Sequence, residues 1–209
     1  MNWDEIAYSF KTDKCSRYTW PRTHEEIPSH AYMEYYEKRL AQTNPANILE
    51  IGVLEGASLR MWAHLFPRAH VIGIDINPKC REQASERISI EILDVGDPEQ
   101  IGEFATRSPL FDFIVDDGSH KERETITALY ALWGRLIPHG LYAIEDVNHR
   151  PVGSPPIRHI GTGWIGWPAK IRDFALSVGA ILNTHQSVFP DFQSVVFLDK
   201  GPGGACDSI

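Results

Sequence analysis

Five short apolar stretches in this chain each run into a carboxylate, and that recurrence constrains the fold more than any other feature. They lie at residues 46–52, with Glu50 near the end, and at 70–75, 88–94, 111–117 and 140–146, closing on Asp75, Asp94, Asp116-Asp117 and Glu145-Asp146. All are short and rich in Ile, Leu and Val, as strands buried on both faces require. Helical spacing fills the intervals. Residues 57–66 bury Met61, Trp62 and Leu65, and residues 79–86 form a short helix. Asp97 opens a helix over 98–106 as a candidate N-cap, and 122–136 places Ile126, Leu129, Leu132 and Trp133 on one face. A last helix at 169–178 and two strands near 180–188 and 193–198 close the chain. Alternation of this kind predicts an α/β domain with a mostly parallel sheet covered on both faces.

No domain linker or internal repeat interrupts the 209 residues, so one domain spans 1–209. Ahead of the sheet lie an arm and helix over 1–45, with a short helix at 3–10 and a second at 30–41, where Tyr32, Met33, Tyr36 and Leu40 share a face and Asn44-Pro45 stops it. That stripe reads as core. The arm reads as packing, with Asp13 and Lys14 as its candidates for a lid. Residues 148–168 hold no periodicity but several glycines, prolines and tryptophans. So long a loop is expected on the ligand side of the domain; Trp164 and Trp167 would either stack on a ligand there or anchor the packing, with His149 and His159 as further contributors.

A net charge of −8 without a Lys/Arg cluster argues against nucleic acid. No apolar run is long enough to span a membrane, and the acidic start lacks a signal peptide's basic region. Three scattered cysteines offer no zinc spacing and suit a reducing cytoplasm. Aromatic content and the arm leave a homo-oligomer open.

In an open α/β sheet, ligands bind beyond the carboxyl ends of the strands, so all these acids face one edge. Gly52 and Gly56 follow the first strand, Gly52 for a tight turn and Gly56 for approach to a helix N-terminus. Asp75 is placed for a ribose diol. The spacing is G-x-x-x-G, not G-x-G-x-x-G, which disfavours a pyrophosphate and favours a simple adenosine ligand; Asp94 would then meet the adenine amino group.

These residues resemble the class I S-adenosylmethionine-dependent methyltransferases through Glu50-Ile51-Gly52-x-x-x-Gly56, Asp75 and Asp94. Within that group, Ile48-Leu49-Glu50-Ile51-Gly52, Ser58-Leu59-Arg60-Met61-Trp62, Asp116-Asp117-Gly118-Ser119-His120 and Ile144-Glu145-Asp146 resemble the sugar O-methyltransferases of macrolide and related antibiotic biosynthesis. Thr12-Asp13-Lys14 is similar to that family's Gly-Thr-Asp-Lys segment, with Lys11 in place of the glycine. The resemblance implies a Rossmann-like, mostly parallel seven-stranded sheet and Mg²⁺-dependent methyl transfer from S-adenosyl-L-methionine to a sugar or polyol hydroxyl. It implies Asp117, Glu145 and Asp146 as metal ligands and His120 as general base. Glu50, Gly52 and Gly56 would serve the cofactor with Asp75 and Asp94, and Asp116 would support that side by bonding its loop. Chemistry agrees: clustered carboxylates repel, and a divalent ion resolves the conflict. Two other readings remain open, a catechol-type O-methyltransferase and a non-catalytic S-adenosylmethionine-binding protein.

Overall fold

The computed structural model describes residues 2–19, 26–147, 167–186 and 194–202. Nearly all of the 148–168 loop, with Trp164, His149 and His159, lies outside that set. So do Trp20, the Trp167 side chain and the last residues of the tail.

A seven-stranded sheet carries the fold. In chain order its strands are β3 (Asn47–Ile51), β4 (His70–Asp75), β5 (Ile88–Ile92), β6 (Phe111–Asp116), β7 (Leu136–Val147), β8 (Ile181–Gln186) and β9 (Ser194–Asp199). Their spatial order is β5-β4-β3-β6-β7-β9-β8, with β9 antiparallel to both neighbours and the other pairs parallel. The mostly parallel sheet expected from the sequence is present. Strand order reverses between β3 and β6, which makes their carboxyl ends the natural crevice for a ligand.

Strand parity sorts the side chains into two cores. Ile48, Phe113, Val115, Leu141 and Ala143 face α1 (Trp3–Phe10), α2 (Met33–Leu40) and α3 (Ala57–Leu65). Leu49, Ile51, Ile114, Tyr142 and Ile144 face α4 (Pro98–Arg107), α5 (Glu122–Trp133) and α6 (Trp167–Ser177). On the first face Tyr36, Trp62, Phe113 and Phe197 meet edge to face at 5.2–5.6 Å between ring centroids, a favoured aromatic geometry.

Local details depart from the sequence reading. The helix expected over 30–41 begins only at Met33, because Ala31 is left-handed at φ 57° and breaks the helical path. The stretch 79–86 holds a 3-10 turn, Pro78–Gln83, that Asn77 caps through Lys79 N. The strand expected over 140–146 begins earlier, at Leu136, and Pro138-His139-Gly140 is an irregularity inside β7, with His139 at φ 63° and the β6–β7 register broken between Phe111 and Phe113. A small antiparallel pair, β1 (Arg17–Thr19) with β2 (Glu26–Pro28), ties the N-terminal arm together.

Lys11 ends α1 in the left-handed conformation, φ 62°, while its N–H bonds to the Tyr8 carbonyl at 3.0 Å. Glycine suits that position best. Lys11→Gly is therefore expected to stabilise the fold by about 0.5–1 kcal/mol, a rise of about 2–3 °C in a thermal melt.

Candidate functional site

Register brings the acids level. Ile51 pairs with Ile74 on one side and with Asp116 on the other, and Asp116 pairs with Ile144. One residue further along, Gly52, Asp75, Asp117 and Glu145 therefore emerge side by side. The rim they form opens into a cavity of about 660 Å³, within the size range of small-molecule sites. Gly52, Asp75, Asp94, Asp117, His120 and Asp146 all line it.

Gly52 is placed by two constraints. Its φ is 92°, and a Cβ there would lie 2.2 Å from the Asp117 carbonyl oxygen. Only glycine lets the turn after β3 pass this close to the turn after β6. Asp75 then fixes the same turn, accepting from Val53 N at 2.9 Å and Leu54 N at 3.3 Å with one oxygen, and from Asn77 N at 2.8 Å with the other. Burial opposes its charge, but these N–H donors hold its carboxyl below the ordinary range. Asp94 accepts from Gly96 N at 2.8 Å at the far wall.

Parity places Glu50, Asp117 and Glu145 on the face shared with α2. Lys14, from the arm, reaches into their midst: its Nζ lies 2.5 Å from Asp117 Oδ2, 2.8 Å from Glu145 Oε2 and 3.5 Å from Glu50 Oε1. Only 1% of this side chain is exposed. Burial opposes its charge, yet Asp117, Glu145 and Glu50 outweigh that and hold its pKa well above the ordinary lysine value. One ammonium cannot balance three carboxylates. Burial, opposed by Lys14 and reinforced by Asp117, pushes Glu50 up to about 7. Tyr36 donates to Glu145 Oε1 at 2.5 Å, so the aromatic stripe of α2 is core at its rings and part of the site at its hydroxyls.

Asp146 is redirected. Extended backbone would aim it away from Asp117, on the opposite face from Glu145, but its φ of 52° swings it round. Tyr32 donates to its Oδ1 at 2.9 Å, His30 Nδ1 lies 3.6 Å from the same oxygen and His120 Nε2 lies 3.9 Å from Oδ2. As a result Asp117, His120 and Asp146 each present a donor atom within 4.8 Å of the others. Among the described residues six non-glycines hold positive φ, and four of them, Lys11, Leu54, His120 and Asp146, line this one cavity. Strain concentrated this way marks a site whose geometry the surroundings impose.

The other sequence candidates lie behind the cavity wall. Glu145, expected beside Asp117 and Asp146, commits one oxygen to Tyr36 and the other to Lys14. Glu50 is fully buried below Lys14. Gly56 is not among the residues that line the cavity: its glycine is demanded by φ 68° and by Gln83, whose Cβ would be 3.0 Å from an added Cβ. Asp116 points to the opposite core, accepts from Gly118 N at 3.3 Å, and leaves Oδ2 unpartnered near the equally unpartnered Tyr142 hydroxyl. Sequence reasoning passed over His30, Tyr32 and Tyr36, whose periodicity signalled only core. Lys14 was visible within Thr12-Asp13-Lys14.

Burial pushes Asp116 up to about 7. A carboxyl raised in the folded state stabilises below its unfolded pKa and loses that contribution as pH rises through the folded value. Asp116→Asn should therefore flatten part of the decline in stability between pH 5 and pH 8. It should also stabilise the protein at pH 8 by up to about 4 kcal/mol, read from urea melts at the two pH values.

Residues 49–147 match the family model described as a methyltransferase domain. The chain is 35% identical over 127 residues to the demethylmacrocin O-methyltransferase of Streptomyces fradiae, a match covering 56% of this chain and 32% of that protein. It is 31% identical over 153 residues to the L-olivosyl-oleandolide 3-O-methyltransferase of Streptomyces antibioticus, covering 68% and 36%. Such matches span about a third of those relatives' length. Among solved structures, a methyltransferase of the mycinamycin biosynthetic pathway in complex with Mg, SAH and mycinamycin VI superposes with a TM-score of 0.70 at 28% identity, covering 100% of this chain and 57% of that one. With the strand order, the acid-lined cavity at the β3–β6 switch and these similarities in hand, the chain has the Rossmann-like fold of the class I S-adenosylmethionine-dependent methyltransferases, and residues 49–147 carry its methyltransferase domain.

Proposed function

We propose that the protein is a Mg²⁺-dependent O-methyltransferase that transfers methyl from S-adenosyl-L-methionine to a hydroxyl of a sugar or glycosylated natural product. The observation that carries this reading is the meeting of Asp117, His120 and Asp146 donor atoms within 4.8 Å at the wall of the cavity that also holds Asp75 and Asp94. The donor set fits Mg²⁺: two carboxylates suffice for an ion that keeps waters and accepts substrate oxygens, and the surplus of acid over Lys14 calls for a cation. Similarity to a relative named as an L-olivosyl-oleandolide 3-O-methyltransferase, whose name carries a glycosyl group, supports the sugar.

Each residue then has a task. Asp75 would hold the ribose and Asp94 the adenine, with Gly52 keeping the wall thin between them and Asp117. Asp117 and Asp146 would hold the ion, with Glu145 steadying Lys14 and Tyr36 behind them. Bound there, Mg²⁺ would lower the pKa of an acceptor hydroxyl and fix its orientation. His120 takes the proton from that hydroxyl as its oxygen bonds the methyl carbon and the carbon–sulfur bond breaks. Most of the acceleration comes from alignment, since the displacement must be in line. Free thiols at Cys15 and Cys80 accord with a reducing, cytoplasmic setting. No helix among the described residues is long and apolar enough to cross a membrane.

Incubation with methyl-labelled S-adenosylmethionine and a panel of glycosides, polyols and catechols tests the reading. A glycoside should gain one methyl with Mg²⁺ present and lose at least about 100-fold in rate after EDTA treatment. An undiminished rate in EDTA removes the metal, and methylation of catechols alone removes the sugar.

A further inference from the structure

Lys14 is more than a packed residue of the arm. Its main chain is pinned on several sides: Met33 N donates to its carbonyl at 3.2 Å, Ala31 N to the Cys15 carbonyl at 3.0 Å, and His30 N and the Ser29 hydroxyl to the Asp13 carbonyl at 3.3 and 2.6 Å. The ammonium is thus delivered by a fixed backbone to a fixed point. At that point it bridges Asp117, which faces the cavity, to Glu145 and Glu50, which do not. Burying a lysine costs several kcal/mol unless it is fully paired, and a packing role needs no charge here. The charge around it is lopsided: Asp13, Glu50, Asp117, Glu145 and Asp146 face it or its partners, with His30 and His120 on the Asp146 side.

We propose that Lys14 is a positioning residue, a tethered cation that sets the orientation of Asp117 and Glu145 and limits how strongly the cluster draws a divalent ion. The second half rests on the metal-dependent reading above; the first does not. A site that must hold an ion while admitting two acceptor oxygens works best when the protein's own carboxylates are partly neutralised. Too strong a grip would draw more carboxylate oxygens onto the ion and crowd out substrate.

The counter-ion role and a merely structural role predict opposite signs. Lys14→Met removes the charge and keeps the bulk; Lys14→Gln removes it and keeps a polar end. If Lys14 only holds the fold, either change loosens the ligands and weakens Mn²⁺ binding. If it is the counter-ion, Mn²⁺ binding, followed by the loss of the free-ion electron paramagnetic resonance signal, tightens by about tenfold or more. Turnover meanwhile falls, and S-adenosylhomocysteine affinity stays within about threefold because the cofactor wall is untouched. Unchanged or weaker Mn²⁺ binding in a variant that still binds S-adenosylhomocysteine overturns the proposal. Should both variants fail to fold, the wild type decides. With ¹⁵N-lysine labelling, a slowly exchanging Nζ signal that persists on adding Mg²⁺ supports a fixed ammonium, and no such signal overturns it. A wild type that binds no Mn²⁺ sinks the metal-dependent reading, while the Nζ signal still reports on the lysine's position.

Discussion

Gly52→Ala is expected to destabilise the protein by about 3–5 kcal/mol, or about 10 °C in a thermal melt, and to abolish measurable S-adenosylhomocysteine binding. Two independent penalties meet at this residue. A φ of 92° is strained for any side chain, and the added Cβ would sit 2.2 Å from a backbone oxygen and 2.8 Å from a backbone carbon of Asp117. Neither atom is the end of a flexible group, so the β3 and β6 turns must part, and Asp117 would move with its main chain. Gly102 is the internal control. It lies within α4, and a Cβ there meets nothing within 4 Å, so Gly102→Ala should stabilise by about 0.5–1 kcal/mol. Calorimetry of the two variants side by side checks opposite signs from one chemical change. A Gly52→Ala variant that binds S-adenosylhomocysteine normally would show that the close approach of the two turns is not what builds the cofactor wall.

Replacing His120 is expected to lower kcat by about 10²–10⁴-fold with S-adenosylhomocysteine affinity nearly unchanged. The imidazole stands at the cavity wall, 3.9 Å from Asp146, and clusters with the Asp117 and Asp146 carboxylates. Because its φ is 55°, alanine would add backbone strain of about 1 kcal/mol, and loss of activity could then be blamed on stability. Asparagine tolerates this conformation far better. His120→Asn should therefore melt at a higher temperature than His120→Ala while losing as much turnover. Partial recovery of either variant by added imidazole would point to the missing proton acceptor. Full activity in His120→Asn would take the base role away from this residue.

What could be read from the sequence follows from which interactions are local. Strand ends were legible because apolar runs stop at acids, and the parity of Glu50, Asp117 and Glu145 is an arithmetic property of their strands. Asp146 was placed beside Asp117 by resemblance alone; strand alternation would aim it to the face opposite Glu145, and the left-handed backbone that brings it round, which Asp tolerates better than most residues, is imposed by tertiary packing. The hydroxyls of Tyr32 and Tyr36 were hidden by their own rings: a helical stripe of aromatics announces core, and nothing local says where the polar tips end. Lys14 shows a third limit. Thr12-Asp13-Lys14 stood out by resemblance, but its ammonium meets partners more than 100 residues away. The 3-10 turn at Pro78–Gln83 and the irregularity in β7 escaped because proline and glycine mark a break without specifying its geometry.

The pairing of Ile51 with Asp116, and of Asp116 with Ile144, has a genetic consequence. The division of labour between Asp116 and Asp117 is written in the count of residues along β6, and one added codon within that strand would exchange them. Asp116 would then be offered to Lys14 and the cavity, Asp117 to the apolar core, and every neighbouring side chain would change faces with them. Substitutions in β6 can be absorbed one at a time, but insertions or deletions cannot. Natural or engineered length variation in this gene should therefore fall in the connections after the helices, and a library that varies β6 should keep its length fixed.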